Sequence, residues 1–318
     1  MSADRPISRR DAIKLGVGAG AALTFANTKA FAESPWWYQS GALIERAIPS
    51  SGEKLPVVGI GTAVIYQNPT PDEIPPLQDT LKRFPELGGR LIDSAPSYGR
   101  AEVVVGDLLA ALHNRDKYFI ATKVSVRGGG DKAAATAQIE ESFKRFQTDT
   151  IDLMQIWNVS NPTLLAPLLD EMKAAKRIRY TGITSSMKNA YGTLEAAMKA
   201  YKYDFVQIDL AIDNRSAQDR VIPLAKDLGM GVLVNSPFGR NRVFTKTQGK
   251  ALPDFAKDID ATSWAQFALK YILGNTAVTA AIPGIGRVDY LEDDMKAAHG
   301  RLPDEPMRAR MASYVDAL

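Results

Sequence analysis

Three residues that together could move a proton lie near the ends of two neighbouring predicted strands. Asp93 lies in the segment RLIDSA, Tyr98 follows it five residues later, and Lys123 lies near the end of YFIATKV. A phenol is a poor proton donor at neutral pH unless a nearby cation stabilises its phenolate, and a carboxylate paired with that cation fixes its position and charge. The trio is therefore a workable general acid. Charged residues at strand ends are common, so its meaning depends on the surrounding chain.

The elements that must position these residues alternate along the sequence. Short apolar runs rich in β-branched residues are separated by stretches with helical spacing, such as LLAPLLDEMKAA. Strands that are apolar on both faces, each followed by an amphipathic helix, indicate a parallel sheet covered by helices. Eight such strands predict an α/β fold closed into a (β/α)8 TIM barrel. The runs are residues 57–62, 90–95, 118–124, 151–157, 180–184, 205–211, 231–236 and 278–284.

Other parts of the chain complete this architecture. An open doubly wound sheet is the alternative, but no GxGxxG motif follows the first strand. The segment RAIPSSGEKLPVV ahead of that strand predicts an N-terminal β-hairpin with SSGE as its turn. Residues 237–260 form a long insertion after the seventh strand, and insertions of this length are often functional. Residues 303–318 predict an extra C-terminal helix, and we expect residues 33–318 to form a single domain.

The composition excludes several classes of function. With 45% apolar and 24% charged residues the chain can bury a large core. Cysteine is absent, and the two histidines, His113 and His299, belong to no spaced metal motif, so we expect no disulfide, no thiolate chemistry and no metal site. The formal charge is +3, and residues 1–32 alone carry five basic against two acidic residues. The remainder is balanced, which argues against nucleic-acid binding.

Residues 1–32 resemble a twin-arginine export signal. SRRDAIK supplies the paired arginines, and AFA supplies small residues for cleavage. The apolar stretch between them is about 12 residues long, whereas a membrane span needs roughly 20. Ala12 stands where an aromatic residue is usual, and a frayed N-terminus without function is the alternative. We expect a mature chain that begins near Glu33, is located in the periplasm and has no membrane span.

The motifs around the trio resemble those of the aldo-keto reductase family over nearly all of residues 47–300. LIDSAPSYG and IATKV resemble the family's two tetrad-bearing motifs, and GIGT ends the first strand as it does there. YTGIT, FVQIDLAIDNR, NSPFG and IPGIGRVDYLEDDM resemble its cofactor-binding motifs. They occur in the family's order at predicted strand ends, which makes the resemblance specific. It implies an NADP(H) cofactor and hydride transfer between the nicotinamide and a small-molecule carbonyl or alcohol.

The resemblance also implies a role for individual residues. Asp93, Tyr98 and Lys123 correspond to three members of the catalytic tetrad. The implied cofactor-binding residues run from the nicotinamide to the adenosine: Thr62, Thr184, Ser185, Gln207, Asn235, Ser236, Pro237, Phe238, Gly239, Arg240, Gly284, Gly286, Arg287, Tyr290, Asp293 and Asp294. Alternative interpretations are a satisfied buried polar group for Gln207, core packing for Phe238 and turn formation for the glycines.

The segment 284–287 favours a phosphorylated dinucleotide. It follows a strand and precedes a helix, where backbone N–H groups and the helix dipole attract an anion, and Arg287 adds a planar fork suited to phosphate. We therefore expect NADP(H) rather than NAD(H). Ile285 and Gly286 replace the family's small hydroxyl residues, however, and Asp294 replaces an asparagine, so side-chain donors are lost and a negative charge is added.

The family's fourth tetrad member, a histidine, is Trp157 in this chain. The family motif is like LMQVHN, and the corresponding segment here is DLMQIWN. We do not expect Asn158 to replace the histidine, because neighbours on a strand point to opposite faces. His113 follows the helix after the second strand and belongs to the other end of the barrel. An indole N–H can donate one hydrogen bond but can neither accept nor transfer a proton.

Two functions of different classes remain open. The first is an exported NADP-dependent oxidoreductase in which Tyr98 is the general acid–base, supported by Lys123 and Asp93. The second is an NADP-holding sensor or accessory protein with little or no turnover, which Trp157 and the altered adenosine motif favour. The intact trio favours the enzyme, because a pure binder does not need it. A periplasm offers no evident supply of NADPH, so we expect a retained cofactor, held by closure of residues 237–260.

Overall fold

The computed structural model describes residues 41–126 and 130–318. The predicted export signal and its cleavage site near Glu33 therefore lie outside the described residues. Within the described ranges, strands and helices alternate in the predicted order. None of the helices in these ranges combines the length and the apolar character that crossing a membrane requires.

A two-stranded hairpin precedes the barrel, as predicted. Strand β1 (Glu45–Ala47) pairs antiparallel with β2 (Lys54–Pro56). Leu55 of the hairpin is completely buried in a cluster with Phe119 and Phe205, which are the first residues of two barrel strands. The hairpin therefore fills the end of the barrel where the strands begin, and leaves the other end for the βα loops.

Eight parallel strands of the described chain form one sheet in which each strand pairs with the next along the sequence. The first and the last strand meet through two parallel bridges, Val58–Ala281 and Gly61–Gly284. The sheet therefore closes, and the predicted (β/α)8 barrel is confirmed. Its residues are buried almost throughout, which explains the continuous apolar runs. The strands are β3 Ile60–Gly61, β4 Leu91–Asp93, β5 Phe119–Val124, β6 Ile151–Ile156, β7 Ile178–Ser185, β8 Phe205–Asp209, β9 Gly231–Asn235 and β10 Ala280–Ala281.

Helices cover the outside of the sheet and share one large apolar core with its outward-facing residues. Four of them begin at side-chain caps: Asp131, Asn161, Ser263 and Asp304 each accept a hydrogen bond from the backbone N–H three residues later. The helices are α1 Ile74–Glu86, α2 Ala101–Ala111, α3 Lys132–Phe146, α4 Pro162–Ala174, α5 Tyr191–Ala200, α6 Val221–Asp227, α7 Arg242–Thr247, α8 Trp264–Leu273, α9 Val288–Met295 and α10 Glu305–Asp316.

The insertion after β9 and the C-terminal segment are both structured. Residues 237–260 contain α7 and a short 3₁₀ helix, Asp254–Ile259. The predicted extra C-terminal helix is α10. Lys250 Nζ lies 2.6 Å from the carbonyl oxygen of Leu318 and donates a hydrogen bond to it. The insertion and the end of the chain therefore contact each other.

Candidate active site

A buried ion pair lies where two neighbouring strands approach the open end of the barrel. Asp93 ends β4, and Lys123 is the fifth residue of β5. Lys123 Nζ is 2.7 Å from Asp93 Oδ2 and donates a second hydrogen bond, also 2.7 Å long, to the carbonyl oxygen of Ser94. The two side chains are 1% and 5% exposed. An ion pair this deeply buried holds both charges in one geometry.

Tyr98 lies beside this pair. Lys123 Nζ is 5.2 Å from the centre of the Tyr98 ring. Burial lowers the pKa of Lys123, but the Asp93 carboxylate and the Tyr98 hydroxyl raise it by more, so that the pKa lies above the ordinary lysine value. Lys123 is therefore a cation at neutral pH, which is the charge that a phenolate at Tyr98 needs for stabilisation. The structure thus brings together the three residues predicted to act on a proton.

The second oxygen of Asp93 accepts hydrogen bonds from two glutamines. Gln207 Nε2 is 2.8 Å and Gln155 Nε2 is 3.1 Å from Asp93 Oδ1. The sequence analysis assigned Gln207 to the nicotinamide and did not identify Gln155. The available signal was the predicted strand 151–157. In that strand Gln155 and Trp157, which are two residues apart, would share a face. The Asp93 carboxylate therefore accepts hydrogen bonds from three side chains: Lys123, Gln155 and Gln207.

Trp157 forms one wall of a cavity of about 490 Å³ beside Lys123. Its volume suits a small organic molecule next to Lys123, since ligand pockets typically span roughly 300–1,000 Å³, whereas Asp93 and Tyr98 are not among its lining residues. Its other lining residues are Pro96, Ser97, Val124, Ser125 and Gln138.

A strained turn carries Trp157. Strand β6 ends at Ile156, one residue earlier than the predicted run, and the backbone then adopts left-handed φ values of 48° at Asn158 and 55° at Val159. Such a conformation is unusual for a β-branched residue. Asn158 N donates a hydrogen bond of 3.1 Å to Thr184 Oγ1 on β7. Alternation along a strand therefore does not decide where Asn158 points, contrary to the expectation, because Asn158 lies in a turn.

The residues predicted to hold the nicotinamide lie at the ends of several barrel strands. Thr62 Oγ1 donates to the Asp93 carbonyl at 3.0 Å, and Ser185 Oγ accepts from Met187 N at 3.2 Å. Thr184 accepts the hydrogen bond from the turn after β6. All three hydroxyl groups therefore already make hydrogen bonds within the protein. Asn235, at the end of β9, has a buried Oδ1 that accepts no hydrogen bond within the described part of the chain. An unsatisfied buried acceptor is a natural partner for a ligand N–H.

The loop predicted to hold the diphosphate is tightly folded. Ser236, Gly239 and Arg240 have left-handed φ values of 48°, 59° and 55°. A Cβ at Gly239 would lie 2.7 Å from an Asp213 oxygen and 2.8 Å from Arg242, so this position requires glycine. Arg242 Nε is 2.8 Å from Asp213 Oδ2. Arg240 is exposed, whereas Pro237 and Phe238 are buried.

The residues predicted to hold the adenosine make contacts of their own. Arg287 donates from Nε and Nη2 to the two carboxylate oxygens of Asp289, at 3.0 and 3.1 Å. Its guanidinium lies 5.5 Å from the Tyr290 ring centre. Asp293 accepts hydrogen bonds from Ser263 and Gln266. Asp294 is fully buried. Gly284 and Gly286 lie after β10 under Ile65, and a Cβ at Gly286 would lie only 2.3 Å from Ile65 Cγ2.

Neither histidine belongs to this site. His113 lies beyond α2 and lines a different cavity, together with Arg115 and Asp152, at the end of the barrel where the strands begin. His299 Nδ1 is 2.9 Å from the carbonyl oxygen of Gly41 near the hairpin. In residues 41–126 and 130–318, no group of three or more His, Cys, Asp or Glu side chains is arranged to hold a metal ion.

Comparison with known proteins identifies a family. The model of the Aldo/keto reductase family matches residues 57–313. Norsolorinic acid reductase B of Aspergillus parasiticus is 26% identical over 283 residues, which cover 74% of this chain and 73% of that protein. An uncharacterized oxidoreductase of Schizosaccharomyces pombe is 29% identical over 237 residues, covering 71% and 75%. An aldo-keto reductase from Klebsiella pneumoniae in complex with NADPH shares the fold with a TM-score of 0.70, at 20% identity over 86% of this chain and 96% of that chain.

Proposed function

The chain belongs to the aldo/keto reductase family, and we propose that it is an NADP-dependent oxidoreductase that interconverts a carbonyl and an alcohol. The observation that carries this proposal is the buried Asp93–Lys123 ion pair beside the Tyr98 ring. An ion pair taken out of water rarely adds stability. A protein that only stored a nucleotide would therefore gain nothing from a buried cation beside a phenol.

The residues at the nicotinamide end are compatible with the cofactor. Among the described residues, the buried Oδ1 of Asn235 has no hydrogen-bond partner, and a carboxamide N–H would satisfy it. We propose that Asn235 and Gln207, with the ends of β7 at Thr184 and Ser185, hold this group. The loop from Ser236 to Arg240 would hold the diphosphate through its backbone. When bound, the cofactor supplies or accepts the hydride.

Tyr98 is the proposed acid in the reductive direction. It donates its phenolic proton to the carbonyl oxygen as the carbonyl carbon receives the hydride, which yields the alcohol. Lys123 stabilises the resulting phenolate, and Asp93 keeps the ammonium in position. In the oxidative direction the Tyr98 phenolate accepts the hydroxyl proton. Because Trp157 cannot relay a proton, Tyr98 carries the whole proton transfer, and the indole N–H is limited to one hydrogen bond to the substrate.

The proposed preference for NADP(H) over NAD(H) rests on Arg287 and on one structurally similar protein. The Klebsiella pneumoniae structure contains NADPH. In this chain Arg287 would have to exchange its bidentate contact with Asp289 for the 2′-phosphate. Both partners of that ion pair are about half exposed, so the exchange costs little. Asp293 and Asp294 would then support α9 from within the fold and not contact the nucleotide.

A second candidate is an NADP-holding protein with negligible turnover. The observations that favour it are Trp157 in the histidine position and the Arg287 fork already bound to Asp289. This candidate also predicts cofactor binding. It differs in predicting that no carbonyl compound is reduced at a rate that depends on Tyr98.

A titration followed by a substrate panel separates the two candidates. The mature protein is titrated with NADPH and NADH by fluorescence, and NADPH oxidation is then followed with a broad set of carbonyl compounds. The enzyme proposal expects tighter binding of NADPH and turnover that Tyr98→Phe abolishes while NADPH still binds. Turnover retained in Tyr98→Phe would exclude Tyr98 as the acid, and tight binding without turnover would support the second candidate.

We also propose that the protein is exported to the periplasm by the twin-arginine pathway as a single folded domain, residues 33–318. Support comes from the order of paired arginines, a short apolar stretch and AFA in residues 1–32. Replacement of Arg9 and Arg10 by lysine is expected to retain the precursor in the cytoplasm. Detection of the wild-type protein only in the cytoplasmic fraction, with its N-terminus intact, would contradict this.

A further inference from the structure

Gln155 occupies an unusual position inside the barrel. The side chain is fully buried in β6, and its Nε2 donates to Asp93 Oδ1 at 3.1 Å. The other half of the amide, Oε1, is buried with no hydrogen-bond partner among residues 41–126 and 130–318. Burying an amide with an unsatisfied oxygen lowers stability relative to an apolar side chain of the same shape. Packing alone therefore does not explain a glutamine at this position.

The neighbouring strand leaves space for this side chain. The register of the sheet pairs Gln155 with Gly182 on β7. A Cβ at Gly182 would lie 3.0 Å from Gln155 Cγ, which is closer than side-chain atoms normally pack. A glycine in a strand interior weakens the strand. Two residues on adjacent strands thus both reduce stability, and together they let one amide N–H reach Asp93.

Gln155 and Gln207 donate to the same oxygen of Asp93, but only Gln155 has no proposed contact with the cofactor. The proposed function, on which this step rests, assigns Gln207 to the nicotinamide. A primary amide has two N–H groups with a fixed geometry. If Gln207 turns toward the cofactor, Asp93 Oδ1 loses its 2.8 Å hydrogen bond. Gln155 then remains as the side-chain donor to that oxygen.

We infer that Gln155 is a positioning residue that holds Asp93 when the cofactor engages Gln207. Its amide compensates part of the carboxylate's negative charge. The field of Lys123 then acts more strongly on Tyr98, because Asp93 neutralises less of it. Lys123 from β5 lies beside the Tyr98 ring and is paired with Asp93 from β4, while Gln155, Gln207 and Trp157, which follows β6, carry no charge.

The substitution Gln155→Met tests this inference, because methionine has a similar shape and no donor. Removal of the donor leaves Asp93 dependent on Gln207, so the variant should bind NADPH about five- to tenfold more weakly although residue 155 does not contact the cofactor. For carbonyl reduction we expect kcat to fall about tenfold. The alkaline limb of the pH profile of kcat should move upward by roughly 0.5–1 pH unit, because a less compensated Asp93 carboxylate raises the pKa of Lys123 further.

Thermal unfolding supplies the readout that separates positioning from a structural role. Gln155→Met removes an unsatisfied buried oxygen together with one of the two amide donors to Asp93, so the two effects oppose each other and the melting temperature should change little. The matched control is Thr122→Val on β5, which removes a buried donor to another buried carboxylate: Thr122 Oγ1 is 2.6 Å from Glu102 Oε1 on the outer side of the barrel. The control should lower the melting temperature and leave the pH profile unchanged.

Each outcome decides the inference. Weaker NADPH binding with an unchanged or higher melting temperature supports it, and a shifted pH profile adds independent support. Unchanged NADPH binding, or losses in proportion to a lower melting temperature, overturn it. If the wild type binds NADPH but reduces no carbonyl compound, the proposed function fails, and the NADPH affinity of Gln155→Met still decides whether Gln155 holds Asp93 when Gln207 engages the cofactor.

Discussion

The substitution Asp93→Asn should destabilise the protein far more than the loss of a typical ion pair. Lys123 is 1% exposed, and the Ser94 carbonyl at 2.7 Å and the Tyr98 hydroxyl would be its remaining partners. Removal of one partner of a buried pair leaves an uncompensated charge and costs about 3–5 kcal/mol. In a protein of this size that corresponds to a decrease in melting temperature of about 5–10 °C at pH 7. Asparagine keeps an oxygen for Gln155 and Gln207, but its NH2 group replaces the oxygen that accepts from Lys123, so the effect combines the lost charge with a donor–donor contact.

The pH dependence of this effect has a definite sign. In the wild type the pKa of Lys123 is raised, so the stability from this pair is present at neutral pH and is lost only as the pH rises through a value above that of an ordinary lysine. In Asp93→Asn, burial acts without the carboxylate and lowers the pKa of Lys123. The deficit in stability relative to wild type should therefore be smaller at pH 10 than at pH 7.

Thermal unfolding followed by circular dichroism at the two pH values measures this effect. The control is Asp316→Asn, which breaks the ion pair between Arg215 and Asp316, whose side chains are 34% and 51% exposed. It should cost less than about 1 kcal/mol. The double variant Asp93→Asn/Lys123→Met should recover most of the stability, because it removes the unpaired charge. A decrease for Asp93→Asn no larger than that of the control would refute the reasoning.

Three further outcomes follow from the same geometry. Tyr98→Phe should lower kcat by about 10²–10⁴-fold in a carbonyl reductase assay, with NADPH affinity unchanged, because only the proton donor is lost. Trp157→His should raise kcat at least about tenfold and add a limb between pH 5 and 8 to its pH profile, because an imidazole can relay a proton. Asp289→Asn should strengthen NADPH binding about three- to tenfold, measured by titration, and leave NADH binding unchanged, because it frees the fork of Arg287.

Each of these outcomes has a clear contrary result. Equal kcat for wild type and Tyr98→Phe would remove the proposed acid. A Trp157→His variant that is no faster than wild type, with an unchanged pH profile, would show that the indole does not limit the reaction. Equal strengthening of NADPH and NADH binding in Asp289→Asn would show that Arg287 does not discriminate through the 2′-phosphate.

Local patterns along the chain were sufficient to predict the barrel and part of the site. The eight apolar runs correspond to the eight strands, because burial on both faces requires apolar residues at consecutive positions whatever the neighbours are. Asp93 and Lys123 were placed at adjacent strand ends, and the fold joins them at 2.7 Å. The end of β6 was placed one residue too late, because the left-handed turn at Asn158 leaves no simple signature in a residue that is not glycine.

Contacts between distant segments were beyond any pattern in the sequence. Gln155 and Gln207 reach Asp93 from two strands that lie 62 and 114 residues away along the chain. Ile65, which follows the first barrel strand, packs on Gly286, which follows the last one, and leaves no room for a side chain at Gly286. The order of residues therefore determined which groups could do chemistry and which segments would be strands. Only closure of the sheet decided which polar atoms satisfy one another and which, like Asn235 Oδ1, have no hydrogen-bond partner among the described residues, because hydrogen bonding depends on distances that tertiary packing sets.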